Sequence, residues 1–247
     1  IQKMMYGVLY GDLLMSLVNQ TKPYETEKGS AQALADKWTE RLAEEMTTGG
    51  KANYKQVKAN YRRILDDFAA LPMEKTEKVM VGVVGEIYVK YSPLGNNNLE
   101  QFLVDEGAEV VIPGLLDFCL YCVYNNMLDN MLYGLQKNVQ FAYKIAYKYL
   151  LNKERDMIDI MREHGRFTPP TLFTHTIDLV QGTISMGVKM GEGWLLTAEM
   201  LELVELQGTG EGRAFSLQEQ QALVELCAKG NRELIRKQKE LLGDILR

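Results

Sequence analysis

The chain has few cysteines and few histidines, and both shortages exclude classes of protein. Its 247 residues include three cysteines and two histidines. An odd number of cysteines in a sequence without a secretory signal argues against a disulfide framework. His164 and His175 lie on either side of a Pro-Pro pair and match no metal-ligand spacing. We therefore expect no metal site, and we interpret both histidines as surface or loop residues.

Long apolar runs, a signal-peptide layout and an excess of basic residues are also missing. No stretch approaches the roughly 18 uninterrupted apolar residues that a membrane helix needs. The formal net charge of -5 argues against a nucleic-acid-binding surface. We expect a cytoplasmic protein that binds neither nucleic acid nor a membrane. The first residue is Ile1, so we also expect a piece of a longer protein.

Nucleotide-binding motifs are absent or incomplete. No G-x-x-x-x-G-K-[ST] motif occurs, and the pair Gly82 and Gly85 lacks the third glycine of the dinucleotide fingerprint. Nucleotide hydrolysis by this chain is therefore not expected.

The most informative stretch that is present covers residues 79–118. An apolar β-branched run, Val79–Val84, predicts a strand, and the Gly- and Asn-rich loop Ser92–Asn98 follows it. A helix over Asn98–Asp105, ended by Gly107, and a second strand over Glu109–Ile112 complete the unit. The pattern predicts a helix-rich α/β protein with a Rossmann-like core, a small parallel sheet and a helical N-terminal lead-in.

Outside this stretch, apolar spacing predicts mainly helices, and turn-rich or Pro-rich segments separate them. We expect a helical lead-in over residues 1–72, an α/β region over 73–203 and a strand-helix tail over 204–247. The predicted helical segments are Lys3–Val18, Gln32–Met46, Tyr54–Phe68, Leu115–His164, Thr171–Val180 and Gly193–Leu203.

The predicted strand end supplies the main candidate site. Ligands of open α/β sheets bind beyond the carboxyl ends of the strands, so Glu86 is the candidate catalytic carboxylate, with a helix cap or a salt bridge as the alternative. Asn96, Asn97 and Asn98 stand at a helix start. They are candidates for holding an anion such as a CoA phosphate, although we expect at least one to be only a cap.

Two further patterns carry weaker hypotheses. Glu192 and Trp194 lie between glycines, on a loop that could close over a ligand, but a plain helix entry has the same sequence. Cys119 and Cys122 form a C-x-x-C with an apolar frame, so we interpret them as buried core thiols rather than metal ligands. Nothing places Cys227 near this pair.

Several separated motifs resemble one family. GEIYVKYSPLGNNN, GLLDFCLYCVYNN and GEGWLLTAEM, with YGVLYGDLLMSLVNQTKPYE near the N-terminus, make residues 1–203 similar to acyl-CoA dehydratase activase-related proteins, which are relatives of 2-hydroxyacyl-CoA dehydratases. The resemblance implies binding of an acyl-CoA or related ligand beside a 4Fe-4S cluster and strengthens the case for Glu86. The cysteine-bearing loop that follows in that family is missing here. We expect a fragment that is inactive alone; the alternative is an interaction module that docks to an ATP-dependent activase.

The tail resembles a different family. VELQGTGEGRAFSLQEQQALVELCAKGNRELIRKQKELLGD is similar to the C-terminal strand and helix of ribonuclease PH, so two parents join near Leu203–Val204. The resemblance implies a strand around Val204–Gln207, and Ser216 with Glu219 forms a capping box for the helix that comes next. It brings no catalytic residue, and RNA phosphorolysis is the weakest alternative. We expect the tail to complete the sheet and to bury its leucines against the first 203 residues, namely Leu206, Leu223, Leu226 and Leu234.

Overall fold

The computed structural model describes residues 2–48, 53–74 and 76–209, with side chains described up to residue 205. The chain divides into units 1–205 and 206–247. The described helices of the first unit are α1 (Gln2–Thr21), α2 (Ser30–Thr48), α3 (Tyr54–Ala69), α4 (Ile87–Tyr91), α5 (Pro93–Asn96), α6 (Leu99–Asp105), α7 (Leu115–Tyr133), α8 (Gln140–His164), α9 (Phe173–Val180) and α10 (Gly193–Thr209), the last of which runs on past residue 205. The strands are β1 (Met80–Gly82) and β2 (Glu109–Val111).

Helix α1 lies at the centre of this unit. Its leucines recur every four residues, so Leu9, Leu13 and Leu17 share one helical face, and all three are fully buried. The helix packs against α2 and α3 of the lead-in and also against β2, α7 and α8. The predicted helical lead-in is therefore present, and it shares one hydrophobic core with the α/β region.

The two strands form a small parallel sheet, as predicted. Met80 pairs with Glu109 and Gly82 pairs with Val111, and α4, α5 and α6 form the crossover between the strands. A Rossmann-like core is not confirmed, because the sheet of the described residues has two strands. Gly82 permits close packing on α10, since a Cβ at this position would lie 2.5 Å from Cδ1 of Leu203.

Three predicted segments differ from the structure. The loop predicted over Ser92–Asn98 contains the short helix α5, Pro93–Asn96. The long helical segment that begins at Leu115 is two helices, because Gly134 adopts the left-handed conformation (φ 68°) that caps α7. The prediction of a strand around Val204–Gln207 is wrong, because α10 continues as a helix to Thr209. Glu and Leu favour helix, and no glycine or proline interrupts the segment before Gly208.

Several predictions about the tail lie outside the described residues. They concern the capping box, the thiol and the burial of the leucines, at Ser216, Glu219, Cys227, Leu206, Leu223, Leu226 and Leu234.

An aromatic cluster joins α7, α8, α9 and α10. Trp194 is fully buried, and its ring centroid lies 4.9 Å from that of Tyr121 and 6.2 Å from that of Phe173. Tyr124 and Tyr147 also pack in this cluster, with ring centroids 5.5 Å apart. Packing thus accounts for Tyr121 and Tyr124 of α7 and for Tyr147 of α8.

Candidate functional site

Glu86 lies just beyond the carboxyl end of β1, on the protein surface. Its Oε2 accepts hydrogen bonds from the backbone N–H groups of Tyr88 at 3.0 Å and Val89 at 3.4 Å, so its carboxylate is the N-cap of α4. The cap anticipated as the alternative role is present. A catalytic role for Glu86 stays a prediction.

The three asparagines divide into one structural residue and two exposed ones. Asn96 donates from Nδ2 to the carbonyl of Val89 at 3.0 Å and accepts the N–H of Leu99 at 3.2 Å. It therefore closes the loop and caps α6, as expected for at least one asparagine. Asn97 and Asn98 both adopt the left-handed conformation, with φ of 56° and 55°, and both are exposed. Their role in ligand binding stays a prediction.

Residues 86–106, which we call the loop surface, expose large apolar side chains beside acidic ones. Leu94 is 85% exposed, and Tyr88 and Phe102 are each more than half exposed. The segment also carries four acidic residues, Glu86, Glu100, Asp105 and Glu106. The basic residue of the segment, Lys90, is buried. Lys22, which follows α1, donates a hydrogen bond to Gln101 of the segment. The segment therefore combines exposed apolar side chains with acidic ones.

A buried ion pair fixes the loop surface to α10. Lys90, in α4, donates from Nζ to Oε1 of Glu199 at 2.6 Å, and the two side chains are 3% and 1% exposed. Burial raises the pKa of the Glu199 carboxyl group, and the Lys90 ammonium opposes that increase. The pair is closed to solvent, and Oε2 of Glu199 has no hydrogen-bond partner among the described residues.

Asp12 connects α1 to the start of α7. Its two carboxylate oxygens accept the N–H groups of Leu115 and Leu116, each at 2.8 Å, and thereby cap α7 from another helix. Burial raises the pKa of Asp12 to about 6, although these hydrogen bonds oppose the increase. Gly114 makes room for the carboxylate, because a Cβ there would lie 2.8 Å from Oδ2 of Asp12.

Three more acids complete a buried group that we call the carboxyl cluster, with members Asp12, Asp117, Glu154, Glu199 and Glu202. Glu154 accepts the N–H of Phe173 at 3.0 Å, and Glu202 accepts the hydroxyl of Thr176 at 3.2 Å. Burial raises the pKa of Asp117 far above its usual value and that of Glu154 to about 7. No member exceeds 9% exposure, so the cluster lies inside the core.

Glu192 and Trp194 stand in different surroundings. Trp194 lies in the first turn of α10 and donates from Nε1 to Oδ1 of Asn125 at 2.9 Å, so it is a core residue and does not lie on an open loop. Glu192 is half-buried, with a left-handed φ of 55° and one carboxylate oxygen that has no hydrogen-bond partner in the described part of the chain. Ligand binding by either residue stays a prediction.

The expectation of two buried thiols is wrong for Cys122. Cys119 is half-buried, but Cys122 is exposed, because α7 turns Leu116, Leu120 and Leu128 toward the core and leaves Cys122 on the outer side. Burial raises the pKa of both thiols. Within residues 2–48, 53–74 and 76–209, no group of three or more His, Cys, Asp or Glu side chains suits a metal ion.

The histidines have different environments. His164 is partly buried, stacks on Phe167 and lies 3.5 Å from Asp66, whereas His175 is exposed and contacts Glu205 at 2.7 Å. The surface interpretation fits His175 better than His164.

Comparison with known proteins supports one of the two resemblances. Ribonuclease PH of Bacillus subtilis (strain 168) is 38% identical over 93 residues, which is 31% of this chain and 38% of that protein. Ribonuclease PH of Bacillus velezensis is 54% identical over 43 residues, or 17% of this chain and 18% of that protein. The chain therefore spans well under half the length of these relatives. No family model and no solved structure matches the chain.

These partial matches support the ribonuclease PH-like segment, whereas none of them supports the dehydratase-related resemblance of residues 1–203. In view of these matches, the expectation that the chain binds no nucleic acid is unsupported. Among the described helices, none is both long and apolar enough to cross a membrane.

Proposed function

We propose that residues 1–203 act as a protein-docking module, with the loop surface as its contact face. The proposal rests on one observation, the combination of exposed Leu94, Tyr88 and Phe102 with four acidic neighbours. Apolar anchors inside a charged border are the usual composition of a protein interface. The partner would be an ATP-dependent activase of the kind that the dehydratase-related resemblance implies.

Electrostatics favours a protein partner over an acyl-CoA ligand. The phosphates of CoA are anionic, and each acid of the loop surface would repel a phosphate by roughly 1 kcal/mol at about 4 Å in water. At the starts of α4, α5 and α6 the side chains of Glu86, Ser92 and Asn96 already accept backbone N–H groups, which leaves fewer of these groups to hold a phosphate. A protein with lysines or arginines around an apolar patch would be attracted instead.

The described residues do not fit the iron–sulfur cluster of the resembled family. A 4Fe-4S cluster takes four cysteine thiolates, and the described part of the chain supplies two, Cys119 and Cys122. The buried acids are closed to solvent. We accordingly propose that residues 1–203 have no dehydratase activity alone.

The test is binding of the 247-residue chain to a purified ATP-hydrolysing activase from the same source, measured by biolayer interferometry. Leu94→Asp should weaken binding at least about 30-fold, as expected for an interface hot spot. Met190→Asp is the matched control, since Met190 is 92% exposed and lies outside the loop surface. Equal affinities of the two variants, or micromolar binding of acyl-CoA by calorimetry without any activase binding, would reject the docking proposal.

A second candidate function rests on the similarity to ribonuclease PH. We propose RNA binding as a property of the ribonuclease PH-like part of the chain, because the two Bacillus ribonuclease PH proteins match 31% and 17% of the chain. The assays are retention of a 5′-labelled RNA on a protein-binding filter and phosphate-dependent shortening of the same RNA, and the absence of retention would reject this candidate. Because no catalytic group of that family could be assigned here, the expected result is RNA retention without shortening.

A further inference from the structure

The turn between α7 and α8 exposes a group of large apolar side chains. Met131 is 73% exposed and Phe141 is 77% exposed, and three further apolar residues of this region are at least half exposed, namely Leu132, Leu135 and Ile145. Every residue from 131 to 139 is exposed, so the turn projects into solvent. We call residues 131–148 the hairpin surface. It shares no residue with the loop surface.

Hydrogen bonds fix the shape of this turn. Asn130 donates from Nδ2 to the carbonyl of Leu135 at 2.8 Å and so closes the end of α7. Gln140, the first residue of α8, donates from Nε2 to the carbonyl of Asn126 in α7 at 3.0 Å. The exposed apolar side chains are therefore held in place before a partner binds, which reduces the entropy lost on binding.

The hairpin surface is also positively charged. Between Asp129 and Glu154 the sequence contains four lysines and no acidic residue, although the whole chain has a formal net charge of -5. Lys137, Lys144 and Lys148 are exposed, and none of them forms a salt bridge with another residue of the described ranges. Their charges are therefore available to an anionic partner.

The start of α8 presents apolar and basic side chains next to each other. Phe141 and Ile145 are four residues apart and share one helical face, and Lys144 and Lys148 each follow one of them by three residues. Exposed apolar side chains with lysines beside them are typical of helices that lie on anionic bilayers. Lysine is depleted in protein–protein interfaces, so the composition favours a lipid surface over a protein.

We propose that the hairpin surface binds a bilayer that contains anionic lipids. The apolar side chains of the turn enter the boundary between headgroups and acyl chains, and the lysines contact the anionic headgroups. Such peripheral binding requires no long apolar run, so the absence of such runs from the sequence does not bear on it.

The experiment measures co-sedimentation of the 247-residue chain with phosphatidylcholine vesicles that contain about 30% phosphatidylserine. The wild-type protein should sediment with these vesicles and stay in the supernatant with phosphatidylcholine alone. Phe141→Asp should weaken binding at least about tenfold, because transfer of one phenylalanine side chain out of water contributes that much. Met4→Asp is the matched control, since Met4 is 75% exposed and lies at the start of α1. Its binding should equal that of the wild-type protein.

The contribution of the lysines is tested separately. Lys144→Gln combined with Lys148→Gln should weaken binding by about 25-fold, since each lysine near an anionic bilayer contributes about fivefold. Lys28→Gln combined with Lys37→Gln removes the same charge from exposed positions outside the hairpin surface and should have little effect. The difference between the two double variants should shrink in about 0.5 M salt, which screens the lysines from the headgroups.

All the substituted side chains are exposed, so the variants leave the core intact. Equal sedimentation of Phe141→Asp and Met4→Asp, equal binding to vesicles with and without phosphatidylserine, or no binding to either would overturn the proposal. Self-association of the free chain that Phe141→Asp abolishes, without vesicle binding, would assign the hairpin surface to a second copy of the chain and overturn it as well.

Discussion

Replacement of Lys90 by methionine should destabilise the protein strongly, and the structure sets the size of the effect. The side chain of Glu199 would stay at 1% exposure and lose its ammonium partner. Glu199 would then have to take up a proton to remain buried. At pH 7 this costs about 3.4 kcal/mol relative to its ordinary pKa of 4.5, from 1.36 kcal/mol for each pH unit.

That value agrees with the range of about 3–5 kcal/mol for breaking one partner of a buried ion pair. The penalty also depends on pH, because proton uptake becomes easier in acid. At pH 5.5 the same cost is about 1.4 kcal/mol. Adding Glu199→Gln to Lys90→Met should recover most of the lost stability, since no buried charge then remains unpaired.

Urea unfolding followed by tryptophan fluorescence measures these effects. The chain has two tryptophans, and Trp38 and Trp194 are both buried in unit 1–205, so the signal reports that unit. Lys58→Met is the matched control, because its partner Asp156 lies 3.9 Å away at the surface and such pairs contribute less than about 1 kcal/mol. Equal losses for the two lysine variants, or no rescue by the second substitution, would show that the buried pair does not have this energetic role.

Two further predictions follow from packing and exposure. Gly114→Ala should lower the free energy of unfolding by about 1–3 kcal/mol, because the new Cβ would press on the carboxylate of Asp12. Gly11→Ala is the control, since its Cβ would lie in open space and the change should be neutral or stabilising. Urea unfolding measures both effects, and equal effects would contradict the close contact at Gly114. Iodoacetamide should label exposed Cys122 faster than half-buried Cys119. Both rates should rise with pH because the thiolate is the reacting form, and the raised pKa of each thiol shifts this rise to higher pH. Peptide mass spectrometry measures the two rates, and faster labelling of Cys119 would contradict the placement of α7.

Apart from α4, α5 and the break between α7 and α8, the order of helices and strands in residues 2–203 could be predicted from sequence because it rests on local signals. Apolar β-branched runs and helical apolar spacing located β1, β2 and α1, and Gly107 ends the intervening helix with a φ of +87° as a C-terminal glycine does. The extent of the sheet could not be predicted, since strand pairing is a long-range property. The tail strand was inferred from family resemblance, and local helix propensity overrode it at residues 204–209.

The loop of the candidate site was predictable and the polar core beneath it was not. Glu86 and Asn96 stand out because a polar loop follows an apolar strand. The members of the carboxyl cluster come from α1, α7, α8 and α10, so no motif or spacing unites them. One local signal was available: Asp12 and Glu199 each interrupt an apolar helical face, within YGDLL and LTAEM, where an ionisable residue needs a partner to be buried.

Hydrogen–deuterium exchange of the 247-residue chain, with and without the activase, would locate the docking face on the molecule. We expect slower exchange in residues 86–106 when the partner is bound, and unchanged exchange at the exposed start of α8. Protection confined to α8 or to the segment after residue 205, with residues 86–106 unaffected in a demonstrated complex, would contradict docking through the loop surface.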